Sequence, residues 1–217
     1  MFVHIFDCDG VITDTNELKT KAFNFVAKKY LSEKASKELL EFHKKNLGKS
    51  RWEKFNFIKA IGLNENYKTE YLCEEYANFI ESSIYDHPLV PRVKDYLESI
   101  INKSEDYIYV ASGGESEQVK RLLKHHRLNI HKKNIFGSPE KKIDIVQKIK
   151  KKHENLNFVL YGDSFYDAEC AKLIKSKFIF VSGYTTCDAN KILNNYSIDM
   201  EIRDFNGLNL NKIKEIF

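Results

Sequence analysis

The chain has 217 residues, of which 42% are hydrophobic, and a formal net charge of +4. That length buries a real core, as one large domain or one domain carrying a smaller insert. Lysines and acids are interspersed, so the mild charge belongs to solvated helix faces and excludes a nucleic-acid footprint. No segment approaches the ~20 apolar residues needed to span a bilayer. The sequence also lacks a signal peptide, so the expectation is a soluble, cytoplasmic protein outside the membrane. Its four cysteines, at positions 8, 73, 170 and 187, have neither CxxC spacing nor a His pair beside them. They read as reduced, buried thiols rather than zinc ligands.

In chain order, an apolar run over residues 2–6 reads as the first strand. Further strands are expected at 107–111, 134–136, 158–161 and 178–181, with a sixth at 197–202. Helical stripes separate them: Val93, Leu97, Ile100 and Ile101, then Val119, Leu122 and Leu123, then Ile143, Val146 and Ile149. The basic run at 148–153, broken by Ile149, reads as the end of that last helix, where cations suit the dipole. Strands alternating with helices give an α/β fold, a Rossmann-like doubly wound parallel sheet with helices on both faces. Ligands of such sheets bind beyond the carboxyl ends of the strands. The gap of about 100 residues between the first two strands is too long for one crossover. It carries helical stripes instead, among them Leu18, Ala22, Phe25 and Val26, and later Trp52, Phe55 and Ile58. Residues 15–86 therefore read as an inserted all-helical domain, and 1–14 with 87–217 as the sheet domain.

Four segments carry chemistry. Asp7, Cys8, Asp9 and Gly10 follow the first strand, and side chains at i and i+2 share a side, so both carboxylates can face one site. At about 4 Å and an effective dielectric of about 20, their repulsion is about 4 kcal/mol, which calls for a cation. Asp163 follows the strand at 158–161 and lies at the same sheet edge as Asp7, with Asp167 four residues on. Oxygen ligands from separate strands suit Mg²⁺, while Asp163 or Ser164 can alternatively cap a helix. Ser112, Gly113 and Gly114 end the strand at 107–111. Ser112 either gives a hydroxyl to a phosphate, with glycine N–H groups alongside, or caps a helix in a box with Glu115. Last, Lys141 and Lys142 open a helix, where a cation opposes the dipole and so suggests a ligand.

The order and spacing of these segments resemble the haloacid dehalogenase-like hydrolase superfamily over nearly the whole chain. The resemblance implies that Asp7 is the nucleophile and Asp9 the general acid/base. It also implies that Ser112 and Gly113 bind phosphate together with Lys142. By the same resemblance, Asp7, Asp9 (through its carbonyl), Asp163 and Asp167 would surround Mg²⁺, and the helical insert would be a C1-type cap. Asp9, beside other acids, is expected to hold a proton more readily than a lone aspartate. Within the superfamily, residues 6–15 and the stretch Gly48, Lys49, Ser50, Arg51 resemble the β-phosphoglucomutase group, which makes Arg51 a candidate substrate contact. Two positions depart from that group: Lys19 stands where it has a histidine, and Gly162 where it has a glutamate. The implied function is a Mg²⁺-dependent phosphatase acting on a small phosphorylated metabolite of the sugar or polyol class. The alternatives are a sugar phosphomutase and a non-catalytic phosphate-binding module.

Overall fold

The computed structural model describes residues 1–63, 66–103 and 105–217. The chain runs β1 (Phe2–Phe6), α1 (Asn16–Tyr30), α2 (Glu33–Lys45), α3 (Arg51–Ala60), α4 (Thr69–Glu81) and α5 (Val93–Lys103). It continues through β2 (Tyr107–Glu115), α6 (Ser116–His125), β3 (Ile135–Ser138), α7 (Lys142–Lys152), β4 (Asn157–Gly162) and α8 (Phe165–Ile174). It closes with β5 (Lys177–Val181), α9 (Ala189–Asn195), β6 (Met200–Ile202) and α10 (Leu210–Glu215).

The strands form one six-stranded sheet in the order β3-β2-β1-β4-β5-β6, and every pairing is parallel. Strands buried on both faces must be apolar nearly throughout, and β1 and β4 are. Val3 and Ile5 pack on one face with Ile145, Val146 and Ile149 of α7 and Ala171 and Ile174 of α8. On the other face Phe6 stacks on Tyr161 with centroids 4.2 Å apart, and Tyr96 of α5 packs edge-on. Strand order reverses between β1 and β4, so the crevice of the fold opens where Asp7 and Asp163 leave the sheet.

Three strands differ from the sequence reading. β3 runs on to Ser138, which pairs with Glu115 across an irregular register at the end of β2. β6 is short because Asp199, just before it, turns its carboxylate onto the Phe178 N–H and Lys177 of β5. The helix after β2 also begins later than a Ser112 cap requires. The strand extends through the glycines, and Glu115 caps α6 by accepting from the N–H groups of Glu117 and Gln118.

Helices α1 to α4 fill the stretch between β1 and β2. α1 packs against α2 and α4, and α3 against the same two, around Phe23, Phe55 and Tyr76. The chain leaves and rejoins the sheet domain side by side, with Asp14 N–H donating to the Pro88 carbonyl and Val90 N–H to that of Ile12.

One polar chain crosses the apolar face. His4 is fully buried, and burial lowers its pKa despite Asp106, so the ring is neutral. Its Nε2 faces Asp106 Oδ2 at 3.5 Å, which leaves Nδ1 to accept from Tyr161 Oη at 2.9 Å, and Tyr96 Oη in turn donates to Tyr161 at 2.6 Å. Removing one link strands two buried polar groups. Tyr161→Phe is therefore expected to lower unfolding free energy by about 1–3 kcal/mol in denaturant melts. Adding Tyr96→Phe costs less than its own single effect, and a full additive loss in the double mutant would rule out the chain.

Candidate active site

The site begins with a turn. After β1, the N–H groups of Ile12 and Thr13 both donate to the Cys8 carbonyl, and Gly10 N–H donates to Thr13. Gly10 sits at φ +77°, and a Cβ there would run into Asn16 and Asp163, so the reversal needs glycine. Asp7 and Asp9 thereby point to one cleft, while Cys8 packs inward, its thiol pushed up by burial.

Behind the cleft wall, Lys142 Nζ lies 2.7 Å from both Asp7 Oδ1 and Asp167 Oδ1. The contact with Asp167 has hydrogen-bond geometry. Asp7 Oδ1 is buried against the same ammonium and meets no other donor. Burial pulls the Lys142 ammonium down, but Asp167 and Asp7 outweigh it and raise its pKa, so it is charged. Asp167 is saturated: its Oδ2 accepts from Ser164 Oγ at 2.6 Å and from the N–H groups of Asp163 and Ser164. Ser164, not Asp163, is the N-cap of α8, and Asp167 completes a capping box with it. Asp163 Oδ2 accepts from Asn16 Nδ2 at 2.7 Å.

The charge around this trio does not balance. Oxygens of Asp7, Asp163 and Asp167 lie within 4.8 Å of one another, against one ammonium. Burial, with Asp167 and Asp9 adding to it against Lys142, pushes the Asp7 carboxyl up to about 7. Burial together with Asp167 and Asp7 raises Asp163 as well. Three buried carboxylates that converge on one ammonium are a donor set that fits a hard divalent cation such as Mg²⁺.

Asp9 is set apart from that trio. Its Oδ1 accepts from Thr15 Oγ1 at 2.5 Å, and its Oδ2 pairs with Lys19. Thr15 precedes α1 without capping it, because its hydroxyl is turned to Asp9. Burial pushes the Asp9 carboxyl up, but Lys19, Thr15 and Lys142 outweigh it and hold its pKa below the ordinary value. The expectation of a readily protonated Asp9 is thus corrected: the nearest group is a cation, not another acid.

The cleft is walled by Asp7, Asp9, Asp163 and Gly113 from the sheet side, and by Lys19, Lys49, Arg51, Lys54 and Tyr76 from the insert. Ser112, Lys142 and Asp167 are buried behind that wall. Ser112 Oγ accepts from Gly114 N–H at 2.9 Å. Gly113 has a structural reason as well, since a Cβ there would collide with the Gly48 carbonyl of the insert. Asn16, Thr15, His43 and Lys54 escaped the sequence reading. The usable signals were the start of α1 just after the Asp7–Asp9 turn and the i+3 spacing of Lys54 from Arg51.

Residues 4–181 match the haloacid dehalogenase-like hydrolase family. The chain belongs to that family. Solved structures share the hydrolase fold from end to end. A hydrolase from Pseudomonas syringae superposes with TM-score 0.78 at 19% identity, covering 99% of this chain and 98% of that one. A β-phosphoglucomutase from Clostridium difficile gives 0.69 at 20% identity, with 99% and 96% covered. CbbY from Rhodobacter sphaeroides, in complex with phosphate, gives 0.71 at 16% identity, with 98% of each chain covered. No curated protein matches this sequence. As in the sequence reading, no helix among the described residues is long and apolar enough to cross a membrane.

In this hydrolase, the lowered Asp9 pKa gives a signed prediction. Asp9 contributes stability above its unfolded pKa of about 4, and that stability is lost as pH falls through the lower folded value. Lys19→Met removes the cation and leaves a buried carboxylate unpaired, at a cost on the order of 3 kcal/mol near neutral pH. Melts at a series of pH values should show the deficit shrinking below about pH 4. A deficit independent of pH would mean that Lys19 acts by packing alone.

Proposed function

We propose that this hydrolase is a Mg²⁺-dependent phosphomonoesterase acting on a small phosphorylated metabolite. The observation that carries the proposal is the convergence of Asp7, Asp163 and Asp167 on the single ammonium of Lys142 at the edge of the cleft. Asp7, Asp163 and the Asp9 carbonyl, with Asp167 beside them, would hold the cation, and its charge would offset that of the incoming phosphate. A phosphate ester carries ~1.5–2 negative charges near neutral pH, and Lys142 supplies further positive charge at Asp7. Ser112, whose oxygen already accepts from Gly114, has its hydroxyl hydrogen left to donate to a phosphate oxygen.

Asp7 attacks phosphorus in line, the bond to the ester oxygen breaks, and an aspartyl-phosphate forms. Asp9, ionised beside Lys19, first takes up a proton from solvent and then gives it to the departing oxygen. In the second step it takes one from water, which attacks the phosphoryl group and releases phosphate and Asp7. Lys19 and Thr15 aim the Asp9 carboxylate and favour its base form. Residues 15–86 act as a cap on the core formed by 1–14 and 87–217, moving about the paired segments at Asp14 and Pro88 and excluding water when closed.

The purified protein is expected to release phosphate from an aryl phosphate with Mg²⁺ present and to lose that activity in excess EDTA. Activity that persists in EDTA would reject the metal. A sugar phosphomutase would instead return an isomer with little free phosphate. Asp7→Asn is expected to abolish turnover. Asp9→Asn should slow it severely while leaving phosphate on Asp7, visible by intact mass. Near-normal turnover in Asp7→Asn would overturn the covalent route.

Arg51 opens α3, lies over the Tyr76 ring and has a buried Nη1 without a hydrogen-bond acceptor. Its planar fork suits an oxygen-rich substrate. Arg51→Ala is expected to cost about 2–3 kcal/mol in kcat/KM on the physiological substrate, and less on an aryl phosphate too short to span the cleft. Equal, small losses would remove Arg51 from substrate binding.

A further inference from the structure

One cation in the cleft wall has no role in the chemistry above. Lys54 lies on α3, one turn beyond Arg51, and is 3% exposed. Among the described residues no carboxylate comes within ion-pair distance of it. Its ammonium instead donates to His43 Nδ1 at 3.1 Å and sits 4.8 Å from the centre of the Phe23 ring. His43 cannot neutralise it. Burial, with Lys54 and Lys44, holds the imidazole pKa down to about 2, so the ring is neutral and Nδ1 is an acceptor.

The bonding beyond His43 runs one way. With Nδ1 accepting, Nε2 carries the hydrogen and donates to Thr20 Oγ1 at 3.0 Å, and Thr20 donates to the Asn16 carbonyl at 3.0 Å. Asn16 is the residue that holds Asp163. The Lys54 ammonium is thus positioned by a directed chain through α2 and α1, with its charge left uncompensated. Burial, joined by Lys19, pulls its pKa down to about 7 even with Glu53 and Asp9 opposing. Such a group lacks an anion that it is built to meet.

The anions already in the cleft are committed elsewhere. Asp9 is held by Lys19 and Thr15, and Glu115 accepts from the N–H groups at the start of α6. We infer that Lys54 is a specificity-determining residue that pairs with a second anionic group on the substrate, a carboxylate or a second phosphate, remote from the phosphate ester cleaved at Asp7. Arg51, on the same face of α3, flanks that group. This rests on the phosphatase reading and narrows it: the substrate is a small phosphate ester with anions at both ends, rather than a neutral polyol phosphate.

The test uses matched alkyl phosphates that end in a carboxylate, a carboxamide or a second phosphate, with phosphate release as the readout. Wild type is expected to favour the two anionic ends over the carboxamide in kcat/KM. Lys54→Met, close in shape to lysine, should cut that preference about tenfold or more, the loss of one charge-assisted hydrogen bond. Lys54→Arg should restore part of it. Preference for the carboxylate over the second phosphate, or the reverse, identifies which anion the subsite takes. If wild type favours the carboxamide, or if the preference survives in Lys54→Met, the inference fails while the phosphatase reading stands. If wild type hydrolyses none of these and no aryl phosphate, the phosphatase reading itself fails. Melting temperatures of both variants separate a folding defect from a change of specificity.

Discussion

The ammonium of Lys142 is what allows this sheet edge to exist. Three carboxylates from two strand ends and one helix converge there, and without a buried cation their repulsion would drive β1 and β4 apart or force protonation. Lys142 meets Asp7 and Asp167 at equal distances. Asp167 is in turn pinned by the capping box of α8. A helix start thus becomes the anchor of an ion cluster, and the rigidity of α8 is transmitted to the nucleophile candidate. The anion that a helix N-terminus favours is the same one that neutralises the lysine.

The insert is fastened to this cluster by polar contacts. Lys19, Thr15 and Asn16 all come from the first turn of α1 or its approach, and each reaches a carboxylate of the sheet edge. Below them the apolar cluster passes from the Phe6 face of the sheet into the helices through Val11, Ile12 and Leu18. Position and charge at the site therefore depend on where α1 lies. A substrate that moves the insert also changes the surroundings of Asp9 and Asp163.

Much of this was legible in the sequence because the strands are short apolar runs that end in acids or glycines. Asp7, Asp9 and Asp163 could be placed from the pleat and the strand-end rule alone, and the helical insert from the absence of alternation over residues 15–86. What escaped was set by neighbours far apart in the chain. Nothing local in Thr15 says that its hydroxyl leaves the helix to hold Asp9. Nothing in His43 says that burial and a lysine eleven residues later will hold it neutral. The expected proton affinity of Asp9 was wrong for the same reason: counting nearby acids missed Lys19, which reaches back from one turn into α1. The box of Ser112 with Glu115 failed because β2 keeps its extended form through both glycines to pair with β3.

The contact between Gly113 and Gly48 has a consequence for how such an enzyme can change. Neither position tolerates a Cβ: one at Gly113 would meet the Gly48 carbonyl, and one at Gly48 the side chains of Ser164 and Tyr166. Glycine at both positions offers no side chain to a substrate. On the proposal above, choice among substrates falls to the buried face of α3 that carries Arg51 and Lys54 into the cleft wall. Descendants of this sequence could exchange those two side chains and acquire new substrates while the glycine contact and the carboxylate cluster stay as they are.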